Sequence, residues 1–166
     1  MKVNYLIVLA TSLIPMAVGI LWYSKIGFGN LWMQETGITE EKAKEVNRFK
    51  VVGLSMLFNV FVAMLLPNIV IHQTGIMSTL MNDSTLNDPT SPLALYVQDF
   101  MAKYGTNFRT FKHGALHGFL SSIFLVLPVV GTSALYENKS FKYIAIHVGY
   151  WAVSLTLMGG VICAFA

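Results

Sequence analysis

Residues 113–135, HGALHGFLSSIFLVLPVVGTSAL, form a run of 23 positions without an Asp, Glu, Lys or Arg. An α-helix rising 1.5 Å per residue crosses a hydrocarbon core of about 30 Å with roughly 20 residues. A charge at the bilayer centre costs at least about 2.5 kcal/mol, so the absence of charge is itself a signature of a spanning segment. Three further stretches read the same way, at residues 4–23, 51–71 and 141–164, with Lys142 at the very start of the last. The whole chain agrees with them. Of its 166 residues, 55% are hydrophobic and 11% charged, against roughly 25% charged in a soluble domain. The expected fold is all-α: a single membrane domain over 1–166, built as a bundle of four transmembrane helices with the lipid bilayer as its surroundings. The first stretch is too long for a signal peptide and ends in Trp22-Tyr23 rather than a small-residue cleavage site, so it is expected to remain as an anchor.

The connections carry their own signals. In residues 24–50, Thr39 can cap a helix whose first turn holds Glu40 and Glu41, and Glu40/Lys44 and Glu45/Arg48 are spaced for side-chain pairing. No Gly or Pro follows before Val51, so this helix is expected to run unbroken into the second span. The second connection is about 40 residues long. It opens with turn-forming Asn82-Asp83-Ser84 and Asn87-Asp88-Pro89, then offers Ser91-Pro92 as a helix start and apolar Leu93, Tyr96, Val97, Phe100 and Tyr104 before Gly105. That pattern predicts a short amphipathic helix in an extramembrane insertion over residues 73–112. The third connection, 136–140, reads as a tight hairpin.

Basic residues set the expected orientation. Lys25, Lys42, Lys44, Arg48, Lys50, Lys139 and Lys142 fall in or beside loops one and three, and Lys2, Lys103, Arg109 and Lys112 on the other side. An excess of seven over four puts loops one and three in the cytoplasm and both termini outside. The net charge of +3 is too small and scattered for a nucleic-acid surface. Cys163 is a lone cysteine and cannot form an internal disulfide.

Helical wheels divide each span into faces. In the third, Ala115, Leu116, Phe119, Leu120, Ile123, Val126 and Leu127 face lipid, while His113, Gly114, His117, Gly118, Ser121 and Ser122 face protein. Gly114 and Gly118 are spaced to let a neighbouring backbone approach. In the first, Asn4, Tyr5, Thr11, Ser12, Pro15, Gly19, Trp22 and Tyr23 lie opposite Leu6, Leu13, Ile14, Ala17 and Leu21. The fourth has a small-residue stripe (Gly149, Ala152, Gly159, Gly160, with Ala145, Thr156 and Cys163) and a polar one (Tyr143, His147, Tyr150, Ser154). Such a helix is either central in the bundle or shared with another subunit, which makes a homodimer or other membrane-protein subunits the expected partners.

The segments Ala17-x-Gly19-x-Leu21-Trp22-Tyr23-Ser24, Phe28-Gly29, Trp32, Gly37-x-Thr39-Glu40, Ala134-Leu135-Tyr136-Glu137-x-Lys139-Ser140-x-Lys142, His147-x-Gly149-Tyr150 and Leu157-Met158-Gly159 resemble those of the four-helix bacterial membrane proteins catalogued as domain of unknown function 1761. The resemblance covers roughly residues 1–70 and 107–165, with 73–106 as an addition. It implies four helices and a bacterial cytoplasmic membrane, and it brings no activity.

Three functional readings follow. The sharpest constellation is His113-x-x-x-His117, spaced to grip one ion, with His72 as a third ligand at similar depth. The expectation here is nonetheless structural: ring nitrogens bonded to Ser, Asn, Tyr or backbone partners, no third group converging, no metal and no cofactor. His147 enters from the opposite face, about 15 Å away from His117. A polar interior of Asn59, Ser121, His147, Tyr150 and Ser154, with Ser55 and Thr11, would line a transport path in a homo-oligomer, yet no span carries a charge in its interior to couple ions. No GxSxG, HExxH, CxxC or phosphate loop is present, so catalysis is not expected. An accessory, assembly or interaction subunit is the leading reading, a small transporter or channel the second, and a metal- or haem-binding protein the third.

Overall fold

The structure is a computed structural model that describes residues 3–166. All its regular elements are helical, and no strand occurs among the described residues. Four helical stretches are long and apolar enough to span a membrane: Tyr5–Trp22, Arg48–Val70, Phe111–Tyr136 and Phe141–Phe165. Each agrees with its expected stretch to within a few residues. Of the basic residues that set the expected orientation, Lys2 lies outside the described residues.

Three of the four are interrupted, and each interruption lies just before a proline. Proline has no N–H to give to the carbonyl four residues back and clashes with it. In the first stretch, α1 (Tyr5–Thr11) and α2 (Leu13–Trp22) meet at Ser12, ahead of Pro15. In the second, α5 (Arg48–Leu65) and α6 (Pro67–Val70) join at Leu66. In the third, α9 (Phe111–Ser121) passes through a π-helical turn, Ser122–Val126, into α10 (Leu127–Tyr136), which contains Pro128. A π turn bonds i to i+5 and shifts the helical register. The uniform wheel therefore fails beyond Ser122: Phe124 is 76% exposed, whereas Val126, expected on the lipid face, packs against the core. Ile14 is corrected in the same direction, toward the core, because α2 restarts after the break at Ser12. The fourth stretch, α11 (Phe141–Phe165), is continuous, with Ser140 accepting from the Tyr143 N–H at its start.

The first connection folds as α3 (Gly29–Thr36) and α4 (Glu40–Glu45). Helix α4 does not continue into α5. Val46 and Asn47 are extended, and the Asn47 carboxamide caps α5 by accepting from the Lys50 N–H at 3.0 Å. This side-chain competition with the backbone is the physical reason the unbroken helix fails. It separates Glu45 from Arg48, and Glu40 pairs instead with Lys25 at 3.1 Å. In the second connection α8 (Pro92–Tyr104) forms as its caps foretell, between Ser91 and Gly105. The tract before it is helical too, as α7 (Gln73–Leu80) and a 3₁₀ turn. The third connection is the expected hairpin, turning on Asn138 at φ 54.

Helix α11 is the centre. Its most extensive neighbour is α9, and it also packs on α2, α10, α1, α6 and α3. The main core joins Val8, Ala63, Leu66, Val70 and Ile71 to Leu155, Met158, Ile162 and Cys163. The α9–α11 crossing is glycine against glycine: a methyl on Gly114 would overlap the Gly159 carbonyl and the Cys163 side chain, and one on Gly118 would overlap the Leu155 carbonyl. Gly160 lies under the Phe111 ring and Gly149 under Trp22, where an added Cβ would come within 2.6 and 2.8 Å of ring carbons. Ala152 is half-buried one turn away. Much of the small-residue stripe of α11 is thus covered within the chain.

Candidate metal centre

Thr110 starts α9 by accepting from the His113 N–H at 3.2 Å. His113 and His117 then lie on one face, one turn apart. The second span ends where Pro67 has already shortened its helix; Ile71 is extended, and His72 opens α7. The Cys163 thiol fastens these two ends together. Its Sγ is 3.2 Å from both the Val70 and the Phe108 carbonyl oxygens, so a buried S–H bridges the residue two before His72 and the residue five before His113. Phe108, at φ 62, turns the chain there, and its ring lies against both His72 and His113. Gln73 adds a second tie, donating to the Tyr104 and Asn107 carbonyls at 3.1 and 2.8 Å.

The result is a cluster of three imidazoles. Ring centroids are separated by 4.9 Å for His72–His113, 5.0 Å for His72–His117 and 4.5 Å for His113–His117. One nitrogen from each ring lies within 4.8 Å of those of the others, and the His72 and His113 Nε2 atoms are 2.8 Å apart. That contact needs one nitrogen to accept, so at least one of the two rings is neutral. The expectation that these rings bond to Ser, Asn, Tyr or backbone groups with no third ligand is corrected: the rings face one another and His72 converges. The reason is the Val70–Cys163–Phe108 clamp, which no local spacing in the sequence reveals.

The donor set favours particular ions. Imidazole nitrogens suit zinc, copper, iron and nickel, and three of them leave further coordination positions to solvent. His72 is exposed while His113 and His117 are half-buried, so the site is open to water on one side. Beside it, a cavity of about 290 Å³ is lined by His72, Gln73, Ile76, Phe100, Tyr104, Asn107 and Phe108.

The remaining polar candidates lie elsewhere. His147 sits near the start of α11, where its Nδ1 meets the Tyr23 hydroxyl at 3.3 Å, and Tyr143, Tyr150 and Trp32 extend the ring cluster. Tyr150 donates to the Pro15 carbonyl at 3.0 Å. Ser121 bonds back to the His117 carbonyl at 2.8 Å. Asn59 and Ser154 are buried, and Asn59 Nδ2 has no partner among the described residues. Asn59 and Tyr150 line one groove, together with Tyr23 and Ser55. At the same end of the bundle, Ser140 bonds Glu35, which places loops one and three side by side.

The profile of the family described as "Protein of unknown function (DUF1761)" matches residues 6–163, so the chain belongs to that family. The match extends across the long second connection. No curated protein and no solved structure matches the chain.

Proposed function

We propose that the chain is an integral membrane protein of the bacterial cytoplasmic membrane, crossing four times with loops one and three inside, that holds a divalent transition-metal ion at His72, His113 and His117. The observation that carries this is the convergence of three imidazoles from two separate segments within 4.8 Å. Zinc–nitrogen bonds of about 2.0–2.1 Å call for ligand nitrogens roughly 3.4 Å apart, a spacing between the closest and widest pairs of the cluster. The membrane setting rests on the four apolar helices and on their outer faces, where Leu6, Leu21, Phe58, Phe61, Phe124 and Val129 are more than half exposed. An accessory-subunit role draws its support from the fourth helix having two faces to fill. Trp22, Phe111, Gly114, Tyr23 and Pro15 of the same chain fill most of both, which leaves the histidine cluster as the feature in search of a purpose.

The test is metal content. The full chain, stripped by chelator in mild detergent, is titrated with Zn²⁺ and in parallel with Cu²⁺, and bound metal is counted by elemental analysis. One ion per chain is expected, lost in His113→Ala/His117→Ala while the thermal unfolding of the apo form is kept. Absence of stoichiometric binding, or binding that survives the double substitution, overturns the proposal.

A further inference from the structure

Helix α5 is the least embedded of the long helices. It packs on α1 and α2 and joins α6. Beside α2, the N-terminal and middle part of α5 leaves a gap, lined by Val51, Ser55, Phe58 and Asn59 on its side. The gap is a groove of about 510 Å³ between α2 and α5, floored by Tyr150 and Trp151 of α11. Most of its wall is apolar or aromatic, including Met16, Ile20, Val51 and Phe58.

Two polar groups break that wall. Ser55 and Asn59 are one helical turn apart on α5, and both line the groove. Asn59 is 4% exposed, and its Nδ2 has no hydrogen-bond partner among the described residues. The Ser55 hydroxyl makes no hydrogen bond within the described chain either. The other polar groups of the lining are engaged: Tyr150 with the Pro15 carbonyl and Tyr23 with His147. An amide is costly to leave unpaired in an apolar medium, and lipid supplies no water to pair it.

Depth narrows the occupant. Asn59 is the twelfth residue of the stretch Arg48–Val70, about 16 Å along the helix from Arg48 and so near the middle of the hydrocarbon layer. Phospholipid ester carbonyls stay at the interface, about 15 Å from that level. The partner must be a lipid-soluble molecule that carries its own acceptor to mid-membrane. The groove holds no charged residue, so the molecule is neutral; amide and hydroxyl donors one turn apart call for carbonyl oxygen; and Phe58, Tyr23 and Trp151 offer ring faces and edges to a flat body. We infer that the α2–α5 groove binds a lipid-soluble quinone, with Asn59 and Ser55 donating to its carbonyl. This rests on the membrane-spanning reading and is independent of the metal site.

The test uses the full chain in nanodiscs of a single synthetic phosphatidylcholine, with decylubiquinone as probe and tryptophan quenching as readout. Prior resistance of the protein to alkaline extraction from native membranes establishes the membrane-spanning reading separately. Saturable quenching is expected, weakened about tenfold in Asn59→Leu and several-fold in Ser55→Ala, with thermal unfolding of Asn59→Leu no lower than that of the parent. An azido-quinone should label residues of α2, α5 or α11. Dodecylbenzene, which lacks the carbonyl, should not compete. Equal binding by parent and Asn59→Leu, competition by dodecylbenzene, or a change of oligomeric mass in Asn59→Leu in place of a loss of quinone binding overturns the inference.

Discussion

Gly118 of α9 lies so close under the Leu155 carbonyl of α11 that a single methyl group would overlap it. The approach is backbone to backbone, which neither helix can relieve by a rotamer change. Gly118→Ala is expected to destabilise the protein by more than about 2 kcal/mol, and Gly118→Leu to prevent the crossing. Gly53 of α5 has nothing within 4 Å of an added Cβ, so Gly53→Ala should change stability by less than about 0.5 kcal/mol. Thermal unfolding in detergent decides; equal effects at the two glycines would refute the crossing.

The π turn makes a second, sharper prediction, because a uniform helix and the observed one assign opposite faces to the same residue. Val126 packs against the core and Phe124 is 76% exposed. Val126→Ala should cost about 1–2 kcal/mol, whereas Phe124→Ala, which removes far more side chain, should cost less than about 0.5 kcal/mol. The reverse order of unfolding temperatures would restore the uniform wheel.

Where the sequence could be read, it was read through rules that act within a turn or two. Charge-free runs placed the four long helices, Ser91-Pro92 and Gly105 bounded α8, and the glycines of α9 marked a face that can admit another backbone. The failures are of two physical kinds. Small backbone effects accumulate: the prolines move their disturbance into the preceding turn, and Asn47 ends one helix by starting the next. Long-range closure is the other. Depth along the spans names His72 beside His113 and His117 but does not bring the three rings together, because what joins their segments is the Cys163 thiol, 93 residues from Val70 and 55 from Phe108. A lone cysteine offered no partner to count, and its role as a hydrogen-bonding clamp exists only once three segments are packed.

Asn47 tests the first kind directly. Its carboxamide satisfies the Lys50 N–H at the start of α5, and Asn47→Ala leaves that group to solvent. A loss of about 1 kcal/mol is expected, with Asn47→Ser close to the parent because serine also caps. If Asn47→Ala is as stable as the parent, the cap does not hold the break between α4 and α5.

Cys163 tests the second. Cys163→Ala removes the Sγ that meets the Val70 and Phe108 carbonyls and leaves a cavity at a fully buried position. The chain should lose about 1–3 kcal/mol of stability, and metal affinity should fall as well, since the His72 and His113 segments are no longer held in register. Cys163→Ser supplies a hydroxyl in place of the thiol and should recover part of the affinity. Loss of stability with unchanged metal affinity in Cys163→Ala would show that the clamp does not position the triad.

The last prediction joins the histidine cluster to the orientation. Loops one and three meet through Ser140 and Glu35 at one end of the bundle. The histidines lie at the other end, where Arg109 donates to the Ala166 backbone oxygen at 2.7 Å. With the basic excess of loops one and three held in the cytoplasm, the triad faces outward, and a reporter fused after Ala166 should lie outside. His72 is exposed, so a chelator should reach the bound ion from the water on that side. A membrane-impermeant chelator added to metal-loaded spheroplasts should therefore strip the ion within the time of the assay, while inverted membrane vesicles keep theirs until detergent is added. His147→Ala should leave metal content unchanged in both preparations, since that ring bonds Tyr23 near the start of α11. Stripping confined to inverted vesicles would reverse the orientation and leave the metal site standing; dependence of the bound ion on His147 would place it at the other end of the bundle and remove the triad from the account.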